Sequence, residues 1–86
     1  MITGCGHPEI SPVAYDYSIA LYSITNRELD QQLTEVEARI REAAAQGDLT
    51  STDADALNGV IAKAKTGDWK AANVECRALM EAQIKR

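Results

Sequence analysis

Residues 12–46 read PVAYDYSIALYSITNRELDQQLTEVEARIREAAAQ, and the spacing of their apolar residues is the strongest indication of the fold. Its apolar positions alternate in steps of four and three, with one polar member, Asn26. Such heptad spacing puts a single stripe on one side of a helix, where partner helices can cover it. The stripe comprises Tyr15, Ile19, Tyr22, Asn26, Leu29, Leu33, Val36, Ile40 and Ala43. It predicts a long first helix within a helical bundle.

Cap signals set the ends of this helix. Ser11 is a suitable N-cap, because its hydroxyl can accept a hydrogen bond from an amide of the first turn, and Pro12 suits the first helical position. Gly47 is typical of the position just after a helix end. Unbroken, residues 12–46 would span about 50 Å.

A break near residues 24–27 is the alternative. Thr25 and Glu28 are spaced as a capping box, which starts helices. Thr and Asn are also poor formers of helix interiors. If the helix breaks there, its first half folds back and the bundle has four helices.

Two shorter helices follow, over about residues 51–66 and 68–84. Thr50 or Ser51 caps the first of them, and Asp68 caps the second. The turn between them is so short that they must pack antiparallel. We therefore predict an all-α fold, an antiparallel three-helix bundle with a long first helix, or four helices if that helix breaks. Residues 11–86 form this single helical domain.

Composition argues against a nucleic-acid-binding protein and against a membrane-spanning segment. The 86 residues are 45% apolar and 26% charged, with a formal net charge of −4. Without a basic cluster, we expect no nucleic-acid partner. No apolar run approaches the roughly 18 residues of a membrane span.

Residues 1–10 read as a tether that carries a lipobox-like pattern, Ile2-Thr3-Gly4-Cys5. In this pattern the leader resembles small bacterial lipoproteins, many of them uncharacterised. The resemblance implies export, a lipid anchor on Cys5 and a location in the cell envelope. It also requires a longer precursor, since a signal peptide has basic and apolar stretches before the cysteine and only Met1 precedes the pattern here. The alternative is a cytosolic helical adaptor with unmodified Cys5.

All three tyrosines lie between residues 13 and 24, where Asp16 is the only charge. Apolar side chains occupy more than one face of this segment, which is typical of a helix buried on several sides. It therefore belongs to the bundle core, to an interface with a second copy or another protein, or to the membrane interface. The candidate interaction surface consists of Tyr15, Tyr17, Ile19 and Tyr22.

Catalytic chemistry has little support in this sequence. His7 is the only histidine and lies in the leader, and Cys76 falls in a helical stripe where a buried, inert thiol is expected. We predict no catalytic residue, no metal site and no cofactor. Trp69 is expected to anchor the core.

In its helix lengths and turn residues, the helical part is similar to the helical domain of steroid receptor RNA activator protein. It is also similar to the related C-terminal domain of the outer coat subunit of endoplasmic-reticulum export vesicles. The similarity is carried by Leu33, Ile40, Gly47-Asp48-Leu49, Leu57, Ile61, Gly67-Asp68-Trp69, Ala72 and Leu79-Met80. It implies a helical bundle used in protein interactions. The sequence thus predicts a non-enzymatic envelope lipoprotein that acts as an interaction or scaffold module. Its expected partners are a second copy or an unidentified envelope protein, and the membrane through Cys5.

Overall fold

A computed structural model describes residues 9–83, and this part of the chain consists of four α-helices with no strand. The predicted all-α class is confirmed. The helices are α1 (Pro12–Arg27), α2 (Asp30–Ala45), α3 (Ser51–Lys65) and α4 (Trp69–Gln83). The continuous first helix over residues 12–46 was wrong, and the four-helix alternative is what forms.

The break between α1 and α2 lies just after the predicted region, and its mechanism differs from the one expected. Glu28 adopts the left-handed conformation (φ 56°, ψ 48°). Its N–H donates to the Thr25 carbonyl at 3.4 Å, and the N–H of Leu29 donates to the Ile24 carbonyl at 3.0 Å. This pair of bonds is a Schellman motif, which ends a helix. Thr25 and Glu28 therefore close α1 and do not start α2.

The same motif ends α2 and α3, but there glycine provides the left-handed residue. Gly47 has φ +86° and Gly67 has φ +89°. The N–H of Asp48 donates to the Ala43 carbonyl, and the N–H of Asp68 donates to the Lys63 carbonyl. The C-terminal ends of α1, α2 and α3 thus share one backbone conformation. Glu28 is the only one of the three left-handed residues that has a Cβ.

The four helices pack so that α1 and α3 each lie against all the others, whereas the backbones of α2 and α4 do not come close to each other within the described residues. Buried apolar side chains from all four helices form one core. The largest of these fully buried apolar side chains are Leu21, Leu33, Ile40, Leu57, Ile61 and Leu79. In α2 the predicted stripe is buried at Leu33, Ile40 and Ala43.

In α1 the predicted stripe is wrong, because the buried residues lie one position before the predicted ones. The buried side consists of Ala14, Ser18, Leu21, Ile24 and Thr25. The two buried hydroxyls are satisfied within the helix: Ser18 Oγ donates to the Tyr15 carbonyl at 2.6 Å and Thr25 Oγ1 donates to the Tyr22 carbonyl at 3.1 Å. Such local bonds let polar residues face a core, so the polarity of Ser18 and Thr25 misled the sequence interpretation.

Apolar side chains at helical spacing form the buried sides of α3 and α4. Leu57, Val60, Ile61, Ala64, Ala72, Cys76 and Leu79 are all buried. Asp68 Oδ1 accepts a hydrogen bond from the N–H of Ala71, as expected of an N-cap. Trp69 is partly buried against the core. Gly59 has open space where a Cβ would lie, so no close backbone packing requires glycine there.

Candidate interaction surface on the first helix

The side of α1 that faces away from the other helices is exposed. Ile19 is 47% exposed and Val13 is 44% exposed, although both are large apolar residues. The charges on this side are Asp16, one turn after Val13, and Arg27 at the C-terminal end. It comprises Val13, Asp16, Ile19, Ser23, Asn26 and Arg27, all of them exposed, and we call it the outer face of α1.

Hydrogen bonds between α1 and α4 fix the rotation of α1 that exposes this face. Asn73 Nδ2 donates to the Tyr22 carbonyl at 3.3 Å and to Thr25 Oγ1 at 3.1 Å. The Cys76 thiol donates to the Ser18 carbonyl at 3.1 Å. Because side chains turn by about 100° per residue, anchoring Ser18 inward leaves Ile19 on the outward half of the helix.

The four residues predicted as an interaction surface are divided among three parts of α1. Ile19 lies at the centre of the outer face. Tyr17 is partly buried on the flank next to α2, where it borders a groove with Val36 and Arg39. Tyr15 and Tyr22 are partly buried on the α4 flank. The rings therefore border the outer face on both sides and do not form one continuous patch.

The neighbouring helix α2 has a different surface. Its exposed side carries Asp30, Glu35, Arg39, Arg41 and Glu42. Glu37 on α2 also pairs with Lys65 on α3, with an Nζ–Oε1 distance of 2.8 Å. Charged side chains are depleted in the centres of protein interfaces, whereas tyrosine is enriched there. The composition of α1 fits an interface better than that of α2.

The Cys76 thiol is fully buried and held by the Ser18 carbonyl. Burial, with a smaller contribution from the Glu75 carboxylate, raises the pKa of Cys76 to about 12. The thiolate is the nucleophilic form of cysteine, so this thiol is unreactive at neutral pH. It packs between α1 and α4, and its burial agrees with the prediction from the sequence.

Asp53 is the polar residue that sequence reasoning did not single out as a link between helices. Its carboxylate accepts hydrogen bonds from the Ser11 N–H (3.0 Å), from Ser11 Oγ (2.9 Å) and from the Thr50 N–H (3.1 Å). One buried carboxylate thus joins the N-caps of α1 and α3. Burial alone would raise the pKa of Asp53, but the hydrogen bonds from Ser11 and Thr50 hold it below its ordinary value. The spacing Thr50-x-x-Asp53 signals the local cap, but nothing in the sequence signals Ser11 as a partner.

Between residues 9 and 83, no group of three or more His, Cys, Asp or Glu side chains could hold a metal ion. No described helix is both long and apolar enough to cross a bilayer. The predicted lipidation site, Cys5, and the leader histidine, His7, lie outside the described residues.

Comparison with known protein families, curated proteins and solved structures found no match for this chain. The resemblances to small lipoproteins and to the two helical interaction domains therefore stay predictions.

Proposed function

We propose that this chain is a non-enzymatic lipoprotein of the bacterial cell envelope, anchored through Cys5, that works as a protein-interaction or scaffold module. The observation that carries the interaction part is the outer face of α1, with Ile19 47% exposed at its centre. The anchor part depends on the pattern Ile2-Thr3-Gly4-Cys5. In lipoproteins a cysteine in this context receives a diacylglycerol group on its sulfur and becomes the first residue of the mature chain.

The outer face of α1 supports an interaction role because it exposes two large apolar side chains, Val13 and Ile19, on one side of one helix. The described bundle already buries Leu21 and Ile24 from the same helix. Exposing Ile19 and Val13 adds nothing to the stability of that core. Tyrosines flank these two positions, and tyrosine is enriched in protein interfaces, which also supports a surface that a partner covers.

A binding role also agrees with the state of the two side chains that could have carried chemistry. Cys76 is buried with a raised pKa and a backbone acceptor. Asp53 is occupied by Ser11 and Thr50. Both side chains serve the packing of helices in this arrangement, so neither is presented to a substrate.

The anchor is tested by expressing the gene from its own locus and analysing the N-terminal peptide of the membrane-bound protein by mass spectrometry. We expect Cys5 at the N-terminus, with the mass of the attached acyl chains. A Cys5→Ala variant should lose both the modification and the membrane association. An unmodified Cys5 in a chain found only in the soluble fraction would support the cytosolic adaptor and refute the anchor.

The surface is tested in the same cells with a photo-activated cross-linking amino acid at position 19 and, in a matched control, at position 74. Val74 is 59% exposed on α4 and lies outside the outer face of α1. It therefore shows how much cross-linking any exposed apolar position gives. We expect a discrete cross-linked product from position 19 and none from position 74. Equal cross-linking from both positions, or none from either, would contradict an interaction role for α1.

A further inference from the structure

We propose that the partner of the outer face of α1 is a second copy of this chain, with the two α1 helices antiparallel. In this arrangement Asp16 of each copy lies against Arg27 of the other. The proposal depends on the proposed function, because it takes the outer face of α1 as the interaction surface. It adds the identity of the partner and the orientation of the pair.

The positions of the charged residues on α1 indicate that the two helices of the pair are antiparallel. Asp16 and Arg27 are the only charged residues of α1. They are eleven residues apart, which is about three helical turns, so they share one side of the helix at roughly 16 Å separation. Neither side chain forms an ion pair with another residue in the described part of the chain. An antiparallel pair brings opposite charges together at both ends, whereas a parallel pair brings like charges together.

The side chains between the two charges fit the same arrangement. A twofold axis midway between positions 16 and 27 brings Ile19 of one copy next to Ser23 of the other. Ser23 is small and exposed, and Ala20 beside it is also small. Ile19 therefore meets a shallow site twice across the axis. A contact that pairs the same patch on both copies is what a twofold dimer requires.

The size of the face predicts a weak dimer. Sixteen residues of helix are about 24 Å long. One helix pair of this length covers less than the roughly 800 Å² per partner of a stable interface. Self-association in dilute solution should therefore be weak. Confinement of lipid-anchored copies to one membrane would raise their effective concentration and favour the pair.

Sedimentation equilibrium on the full chain in reducing buffer, from micromolar to millimolar concentration, tests the proposal. The wild type should show a monomer–dimer equilibrium that weakens as salt is raised, because salt screens exposed ion pairs. Asp16→Arg and Arg27→Asp each replace two attractive contacts with two repulsive ones. Each should weaken dimerisation by roughly three- to tenfold or more, the range expected for exposed charge pairs.

The double variant Asp16→Arg/Arg27→Asp restores opposite charges across an antiparallel pair, and its dimerisation constant should return to within about twofold of the wild-type value. Both positions are exposed, and circular dichroism would verify that each variant keeps its helices. Arg27→Asp also places an anion at the C-terminus of α1, which lowers monomer stability in the single and double variants alike. Recovery of dimerisation in the double variant therefore reports the contact and not the stability.

Ile19→Ser should also abolish dimerisation, while Val74→Ser, which removes a comparable exposed group on α4, should leave it unchanged. A wild type that stays monomeric to millimolar concentration overturns the proposal, and so does a double variant that dimerises no better than the single ones. In either case the interaction role survives if position 19 cross-links to a different protein in cells. If position 19 cross-links to nothing, both proposals fail.

Discussion

Replacing Glu28 by glycine should stabilise the protein, because Glu28 is the only non-glycine residue of the described chain with positive φ. A left-handed conformation costs an L-residue with a Cβ about 1–2 kcal/mol. Glycine avoids that cost but loses about 0.5–1 kcal/mol more conformational entropy on folding. The side chain of Glu28 is exposed and makes no hydrogen bond or ion pair in the described part of the chain. The net change from Glu28→Gly is therefore a gain of roughly 0.5–1 kcal/mol in unfolding free energy.

The assay is urea denaturation followed by circular dichroism, with thermal melts beside it. For a domain of this size the gain corresponds to a rise in Tm of about 2–8 °C. Glu28→Ala keeps the Cβ and should stay close to wild type. Gly47→Ala and Gly67→Ala impose on the other two helix ends the strain that Glu28 already carries, so each should lower stability by about 1 kcal/mol.

The sign of the Glu28→Gly effect distinguishes the two architectures. If residues 12–46 formed one continuous helix, position 28 would lie in a helix interior, and glycine there would cost about 1 kcal/mol relative to alanine. A loss of stability in Glu28→Gly relative to Glu28→Ala would refute the Schellman end of α1 and the four-helix fold with it.

Three further predictions follow from single sites. Gly59→Ala should raise the unfolding free energy by about 0.5–1 kcal/mol in a urea titration, since a helical Cβ there meets open space. Asp53→Asn should lower it by about 1–3 kcal/mol at neutral pH, because an amide cannot accept all the bonds from Ser11 and Thr50. The folded pKa of Asp53 is depressed, so the carboxylate contributes its full stability above its unfolded pKa of about 4. That contribution disappears as pH falls through the folded pKa, and the gap between variant and wild type in pH-dependent melts should then close; a gap independent of pH would contradict the linkage. Cys76, with a pKa of about 12, should resist thiol reagents at pH 8 until the bundle unfolds, and rapid labelling of the native protein would show that the thiol is not packed against Ser18.

The parts of the fold that are local in sequence could be predicted. The helix ends at Gly47 and Gly67 follow from glycine's freedom at positive φ, and the N-cap at Asp68 from its short carboxylate. The end of α1 could not be predicted in this way, because Glu28 carries no signal for the left-handed conformation.

The face of α1 was the most informative error. Heptad spacing favoured Tyr15, Ile19 and Tyr22 as the buried stripe, since these are larger and more apolar than Ser18. The structure buries Ser18 instead, because its hydroxyl bonds within the helix and its carbonyl accepts the Cys76 thiol. Both partners are small, which lets α1 and α4 approach closely. That pairing joins residues 58 positions apart, so periodicity within α1 could not reveal it.

The exposure of the residues in the candidate surface could be predicted only in part, for a related reason. The low charge of residues 13–24 is visible in the sequence and pointed to α1. Which of its side chains face outward depends on contacts with α4, above all those of Asn73. The three-turn spacing of Asp16 and Arg27 was available in the sequence, but it gains meaning only when both residues are known to be exposed.

The proposed surface depends on the rotation of α1 about its axis, which the thiol accessibility of two adjacent positions would reveal. In a Cys5→Ser background at low protein concentration, Ile19→Cys and Ser18→Cys would each be labelled with a maleimide under native conditions. We expect Ile19→Cys to react as fast as an unstructured peptide thiol and Ser18→Cys to be protected about a hundredfold or more, since labelling there requires local opening. Protection at position 19 with rapid labelling at position 18 would contradict the account, because the outer face of α1 would then be the buried one.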